Sequence, residues 1–372
     1  MAKLIKIEDV VIYKDEHYNT FPNLIKLQDG TILAGFRQAV DRRKELGHAT
    51  HVDPTSKAVC ISSYDGGATW SSSPTVIFDD EHGEQDPCLN LLSDGTVLCT
   101  FFKWSIAKAG EGENVFGKEK FKKLGRTVFD LWDGLVTGAY STRSFDGGKT
   151  WDSPILIEVP GFIHGIGVRG NTIEMDDGSI ILPMYGMKNY GETSRIFVMK
   201  SFDKGMTWTF LSDVAHKEDR NFYEPFVLRT RSGKLIALLR TQRIQTPGVD
   251  FDSTYMNLHT CISEDNGNTW SQPEERTILG SNPFHALQLS SGNVLITYGY
   301  RRLPYGMRAR LTDGELINLD TADELVLRDD SLTTDLGYSS AVQLEDGRIL
   351  VSYYYSEIDE IRYIAGTLLE EI

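Results

Sequence analysis

The chain has 372 residues, 40% hydrophobic and 24% charged, a balance that supports a large apolar core and excludes a disordered or fibrous polypeptide. Thirty-eight Lys and Arg against 53 Asp and Glu leave a net charge of −15, so a phosphate-neutralising surface is not expected and nucleic acid is a poor partner. No stretch of eighteen apolar residues occurs, and charged residues follow the opening Met-Ala-Lys-Leu-Ile-Lys, so the expectation is no membrane partner and a cytoplasmic protein, or the trimmed form of a secreted one.

Two signals alternate along the chain. The first is an apolar run, a turn ending in Gly and a second apolar run, as in the segment from Leu27 to Leu33. Its turn glycines are Gly30, Gly95, Gly178, Gly233, Gly292 and Gly347, each preceded by Asp or Ser, at separations of 65, 83, 55, 59 and 55 residues. Each is a hairpin signal. The second is the octapeptide SxDxGxTW, which begins at Ser63, Ser144, Ser201 and Ser263. Its Asp can accept backbone N–H bonds, its Gly can take positive φ and its Trp can pack the turn onto a sheet, so it reads as a structural staple.

Six hairpins with octapeptides in four of the gaps predict an all-β fold, a six-bladed β-propeller of four-stranded antiparallel blades forming one domain over residues 1–372. The segment from Asp9 to Tyr13 can close the ring as the outer strand beside residues 363–368. The second blade is the longest, and its excess, about residues 107–134, carries Lys118, Lys120, Lys122 and Lys123, a pattern that fits a lid or an interaction loop. Cys60, Cys88, Cys99 and Cys261 have no metal-type or redox-type spacing and read as buried thiols.

Because strands in a blade run alternately up and down, hairpin turns and octapeptides share one face, and any site gathers at the other. Nine residues before each turn glycine stand Phe21, Asp86, Arg169, Glu224, Pro283 and Tyr338; seven after stand Arg37, Phe102, Tyr185, Arg240, Gly299 and Tyr354. Charges and phenols converging on one mouth suit a polar, anionic small ligand.

The octapeptides are Asp-boxes, the bacterial neuraminidase repeat, and with six blades the chain resembles the sialidase superfamily. That resemblance implies a retaining exo-glycosidase acting on a terminal acidic sugar, without cofactor or metal, through a tyrosine nucleophile, a glutamate that activates it, an aspartate acid/base and three arginines on the sugar carboxylate. By position, Tyr338 in Asp335-Leu336-Gly337-Tyr338 resembles the nucleophile and Glu224 in Asn221-Phe222-Tyr223-Glu224 its partner. Arg240 and Arg301 resemble two carboxylate ligands, and Arg37 a further arginine at the end of the first hairpin. The family's Phe/Tyr-Arg-Ile-Pro segment corresponds to Asn19-Thr20-Phe21-Pro22, where Thr20 replaces the arginine; Arg169 is a candidate replacement charge.

The acid/base is expected in the loop from Gln38 to Pro54, which holds Asp41 and Asp53, with Asp53 preferred. His48, His51 and Asp53 in that loop form a candidate metal cluster, but they lack the regular element and supporting shell that a metal site requires, and no metal is expected. Asp86, His164 and His285 complete the expected sugar contacts. Two other readings remain: a related propeller enzyme that cleaves another sugar or eliminates at uronates with Tyr and His, and a non-catalytic carbohydrate-binding propeller.

Overall fold

The computed structural model describes residues 2–47, 50–128, 130–244, 254–358 and 361–372. Six antiparallel sheets follow one another around a ring, and each begins at its innermost strand. Blade 1 comprises Tyr18–Lys26, Ile32–Ala39, Lys57–Ser63 and Thr75–Phe78. Blade 2 comprises Gly83–Leu91, Val97–Lys108, Trp132–Ser144 and Ile155–Leu156, and blade 3 His164–Gly167, Ile180–Met187, Arg195–Ser201 and Thr209–Ala215. Blade 4 contains Arg220–Arg229, Leu235–Arg243, Asn257–Ser263 and Glu274–Leu279, and blade 5 Phe284–Gln288, Val294–Tyr300, Tyr305–Thr312 and Glu324–Ser331.

Blade 6 mixes the two ends of the chain. Gly337–Gln343, Ile349–Tyr355 and Tyr363–Glu371 are completed by Leu4–Tyr13, which pairs antiparallel with the last strand in the register Val10 to Gly366. Closing the ring this way leaves no open seam between first and last blades. Apolar clusters fill the space between each neighbouring pair of blades, such as Phe36, Ile61, Leu350 and Ile364 between blades 1 and 6. The four cysteines are buried free thiols within or beside these layers.

Each Asp-box closes on itself by the same bonds. In the first, Asp65 accepts from the Thr69 N–H at 2.8 Å, Ser63 Oγ from the Gly67 N–H at 2.9 Å, and Trp70 donates to the Gly67 carbonyl at 3.1 Å. Gly67 has φ +88°, and a Cβ there would stand 2.9 Å from Leu350, so conformation and the approach of blade 6 both require glycine. Asp65 and Gly66 share a surface groove with Asp29, Gly30 and Asp346, which places boxes and hairpin turns on one face.

On the opposite face the innermost strands share a different irregularity. Between Thr20 and Asn23, Gln85 and Cys88, Tyr223 and Phe226, and Gly337 and Ser340, two residues of the inner strand face one of its partner. These are β-bulges, and Phe21, Asp86, Glu224 and Tyr338 within them have φ of 58°, 49°, 45° and 54°. Pro22, Pro87 and Pro225 follow three of them; at a bulge a residue without an N–H costs no ladder bond. The bulges turn four side chains out of the sheet plane at equivalent places around the ring.

Blade 2 overshoots its neighbours. Val97–Lys108 and Trp132–Ser144 stay paired out to Lys108 and Trp132, and between them lie two short helices, Gly112–Phe116 and Lys118–Leu124, and the strand Arg126–Val128. Asp133 pins this excursion by accepting from the N–H groups of Gly110 and Gly112 and from the Thr127 hydroxyl.

Candidate active site

The bulged residues meet at a cleft of about 390 Å³ whose lining includes Phe21, Asp86, Glu224 and Tyr338, together with Tyr185, Tyr223, Arg240 and His51. This volume lies within the ordinary range of small-ligand pockets. At its floor the Tyr338 hydroxyl donates to Glu224 Oε1, and Arg240 Nη1 donates to Glu224 Oε2 and, at 3.3 Å, to the Tyr338 oxygen. All three groups are buried. Burial holds the Tyr338 phenol well above its ordinary value and Glu224 adds to the rise, while Arg240 opposes it.

Asp86 stands at the same level, 3% exposed, and its Oδ1 receives no hydrogen bond from the described residues. Burial pushes its carboxyl up to about 7; Arg169 opposes the rise and the neighbouring charge of Glu224 reinforces it. At neutral pH such a carboxyl carries its proton for much of the time, whereas an ordinary aspartate does not.

Beside Arg240 the polar groups are engaged by the chain itself. The Tyr255 hydroxyl accepts from Arg240 Nη2 at 3.4 Å and from Arg301 Nη1 at 3.0 Å, and Arg301 Nη2 donates to the Leu336 carbonyl and to Tyr354. A carboxylate is already present there. Asp335 accepts from Tyr18, Tyr354 and Arg362 and lies 2.8 Å from His51 Nε2. Its burial would raise its pKa, but His51, Arg362 and Arg301 outweigh that and hold it well below the usual carboxylate range.

The other sequence candidates occupy varied places. Thr20 is fully buried, and its hydroxyl finds no partner among the described residues. Arg37 is equally buried with its guanidinium over the Tyr18 ring and without a hydrogen bond among the described residues, and Asp53, Asp86 and Glu84 are the nearby acids that act on it. Arg169 donates to the carbonyls of Phe21, Pro22 and Tyr338 and lies 5.1 Å from the Tyr338 ring, joining three inner strands. Its donors therefore serve the backbone.

Asp53 is fully buried and accepts from Arg42 Nε at 2.9 Å and from the Thr55 N–H and hydroxyl, away from the cleft lining. Those bonds, working against burial, lower its pKa. His285 packs on Phe226, and burial together with Arg169 lowers its pKa to about 3, so it is neutral. His164 opens the first strand of blade 3, and its side chain is outside the described residues, as is His48. With His51 turned to Asp335 and Asp53 to Arg42, those two residues do not converge on a common point. Among the described residues, Asp15, Glu16 and His17 are grouped closely enough to hold a cation, but Asp15 already binds the His17 ring at 3.0 Å and the Asn19 amide at 2.7 Å.

Residues that the sequence did not single out also enter the cleft: Tyr223 beside Glu224, and Leu124 and Arg126 from the blade 2 excursion. The Lys-rich composition of that insertion hinted at a role but not at Arg126. Tyr255 carried no signal at all, since it precedes its strand by two residues and bears no motif.

A closed ring of six blades, with Asp-boxes on one face and a bulge-built polar mouth on the other, is the sialidase-type propeller. Residues 59–351 match the BNR repeat-like domain, and the chain belongs to that family. It is 36% identical to a protein of unknown function from Dyadobacter fermentans, with 99% of each chain covered and a TM-score of 0.86. The fold is shared with the NanB sialidase of Streptococcus pneumoniae, at 14% identity and a TM-score of 0.65 over 98% of this chain and 70% of that one. It is shared too with an α-L-arabinofuranosidase of Fusarium graminearum, at 12% identity and a TM-score of 0.65 over 98% and 97%. No curated protein matches the sequence.

Proposed function

We propose that this propeller is a retaining glycosidase whose substrate is a terminal sugar other than an ordinary α-sialoside. The observation that carries the reading is the buried Tyr338, Glu224 and Arg240 unit at the floor of the cleft. A phenol near pKa 10 is a poor nucleophile until a carboxylate takes its proton. Glu224 accepts that proton as Tyr338 Oη attacks the anomeric carbon, and Arg240 steadies the charge on both oxygens. Asp86 gives its proton to the departing glycosidic oxygen. In the second half, Asp86 as carboxylate takes a proton from water, the water displaces Tyr338 from the sugar, and Glu224 returns the phenolic proton.

The sugar's identity is argued from the arginines. Three guanidiniums on a carboxylate are the family expectation, but Thr20 replaces one, and Arg240 and Arg301 already share the Tyr255 hydroxyl beside the internal carboxylate of Asp335. A second ligand carboxylate at that end would meet like charge and occupied donors. The test is a panel of aryl glycosides, followed by a 2-deoxy-2-fluoro analogue of the best one. A covalent sugar on Tyr338 by mass spectrometry is expected; a product formed with inverted anomeric configuration would overturn the mechanism.

One observation favours a second reading, elimination at a uronate. His51 lines the mouth and is oriented by Asp335, an imidazole–carboxylate pair suited to proton abstraction. An unsaturated product absorbing in the ultraviolet would select it.

A further inference from the structure

The insertion in blade 2 puts a cation into the mouth. Arg126 lines the cleft with its guanidinium stacked 4.7 Å from the Trp104 ring centroid, and it remains accessible to solvent although protein surrounds it on most sides. Among the described residues no hydrogen bond or ion pair engages it. In a chain of net charge −15, whose other cleft arginine, Arg240, is paired, this is an unusual state for a guanidinium. Burial lowers its pKa, and the hydroxyl-bearing rings of Tyr223 and Tyr185 are the groups that act on it.

Those two rings complete the arrangement. Tyr185 and Tyr223 meet edge to face at 5.9 Å, both line the cleft, and neither hydroxyl has a hydrogen bond among the described residues. Three unused donors, one of them cationic and set against an indole face, therefore converge on the side of the mouth formed by blades 2 to 4. An oxyanion matches them: it accepts from the planar fork of Arg126 and from both phenols, and it neutralises a charge already partly removed from water. The wall next to them, Phe102, Val136 and Met187, is apolar and fits the face of a sugar ring.

We infer that Arg126, Tyr185 and Tyr223 form a subsite for an oxyanion substituent of the sugar substrate, a carboxylate or a sulfate ester, read from the insertion side of the mouth. This rests on the carbohydrate reading above and names the substrate class within it. The anionic group is then bound by donors other than Arg301, whose Nη1 already donates to the Tyr255 hydroxyl.

Binding, rather than turnover, is the primary test, so that failure of catalysis and failure of the subsite are distinguishable. Methyl glucuronoside, methyl glucoside and glucose 6-sulfate are titrated calorimetrically into the wild-type protein and into Arg126→Ala, Arg126→Lys and Tyr223→Phe. The anionic sugars should bind more tightly than the neutral one, the margin should shrink with added salt, and Arg126→Ala should reduce it about ten- to a hundredfold, from charge-assisted bonds of about 1.5–3 kcal/mol. Arg126→Lys should keep part of it. The ratio between glucuronoside and sulfate distinguishes the two anions. Equal affinity for charged and neutral sugars, or a margin that Arg126→Ala leaves intact in a folded protein, overturns the subsite. If the margin behaves as expected but no glycoside is cleaved, the subsite stands and the catalytic reading falls.

Discussion

The two faces of the propeller are built from the same strands but use their polar groups in opposite ways. On the box face every element of the turn is satisfied locally: Ser144 and Asp146, Ser201 and Asp203, and Ser263 and Asp265 repeat the bonds of the first box within a tenth of an ångström or so. On the mouth face the repeated unit is a strained bulge in four blades, and what it presents differs in each of them: Phe21, Asp86, Glu224, Tyr338. Polar groups there are buried, some without a partner among the described residues, and two carry strongly raised pKa values. Repetition with full satisfaction stabilises a fold, and repetition of geometry with varied chemistry supplies a site. Strain at non-glycine positions is tolerated only where the surrounding structure over-determines it.

The largest expected effect tests the mouth. Tyr338→Phe should bring turnover to background and Glu224→Gln should lower it by about 10²–10⁴-fold, with circular dichroism and thermal midpoint little changed. If the fold holds and activity persists, the mouth is no more catalytic than the boxes. Next, Asp86 should appear in the pH profile. Because the protonated form donates, kcat/KM should fall as pH rises through about 7, and Asp86→Asn should remove that limb. The same variant should slow substrates with poor leaving groups far more than activated aryl glycosides; an equal loss on both would remove Asp86 from the acid role.

A smaller effect concerns the arginine end of the cleft. With Thr20 in place of a guanidinium, one charge-assisted interaction of about 1.5–3 kcal/mol is missing, so carboxylate binding at that end should be about ten- to a hundredfold weaker. Weak or absent cleavage of an aryl sialoside is therefore expected, and turnover like that of a dedicated sialidase would restore the plain sialidase reading. The smallest effect sharpens the comparison from the other face. Ser201→Ala removes the acceptor for the Gly205 N–H and a donor to Asp203, and should cost about 1 kcal/mol in urea unfolding while leaving kcat/KM unchanged. A loss of activity at that distance would mean that the faces are coupled.

The sequence by itself determined the ring. Boxes and hairpin glycines are local devices, each specified by a few adjacent residues, so blade number, the closing strand and the face that carries the turns could be read from spacing. The register count also reached the bulges, because the four inner strands that carry one have the same length from bulge to turn, and it brought Glu224 and Tyr338 to the same face as partners. Tertiary structure decided how long side chains share their bonds. Arg169 and Arg240 look alike in sequence, yet one serves three backbone carbonyls and the other the Glu224 carboxylate. Asp53 and Asp86 differ likewise: a neighbouring Arg42 from the same loop lowers one, and burial among distant blades raises the other. Arg126, in the short strand of the blade 2 excursion, and Tyr255, two residues before its strand, take places that no period fixes. A guanidinium or carboxylate takes its role from whichever groups surround its tip, and in a propeller those come from blades far apart in sequence, as Arg169 and Phe21, 148 residues apart, illustrate.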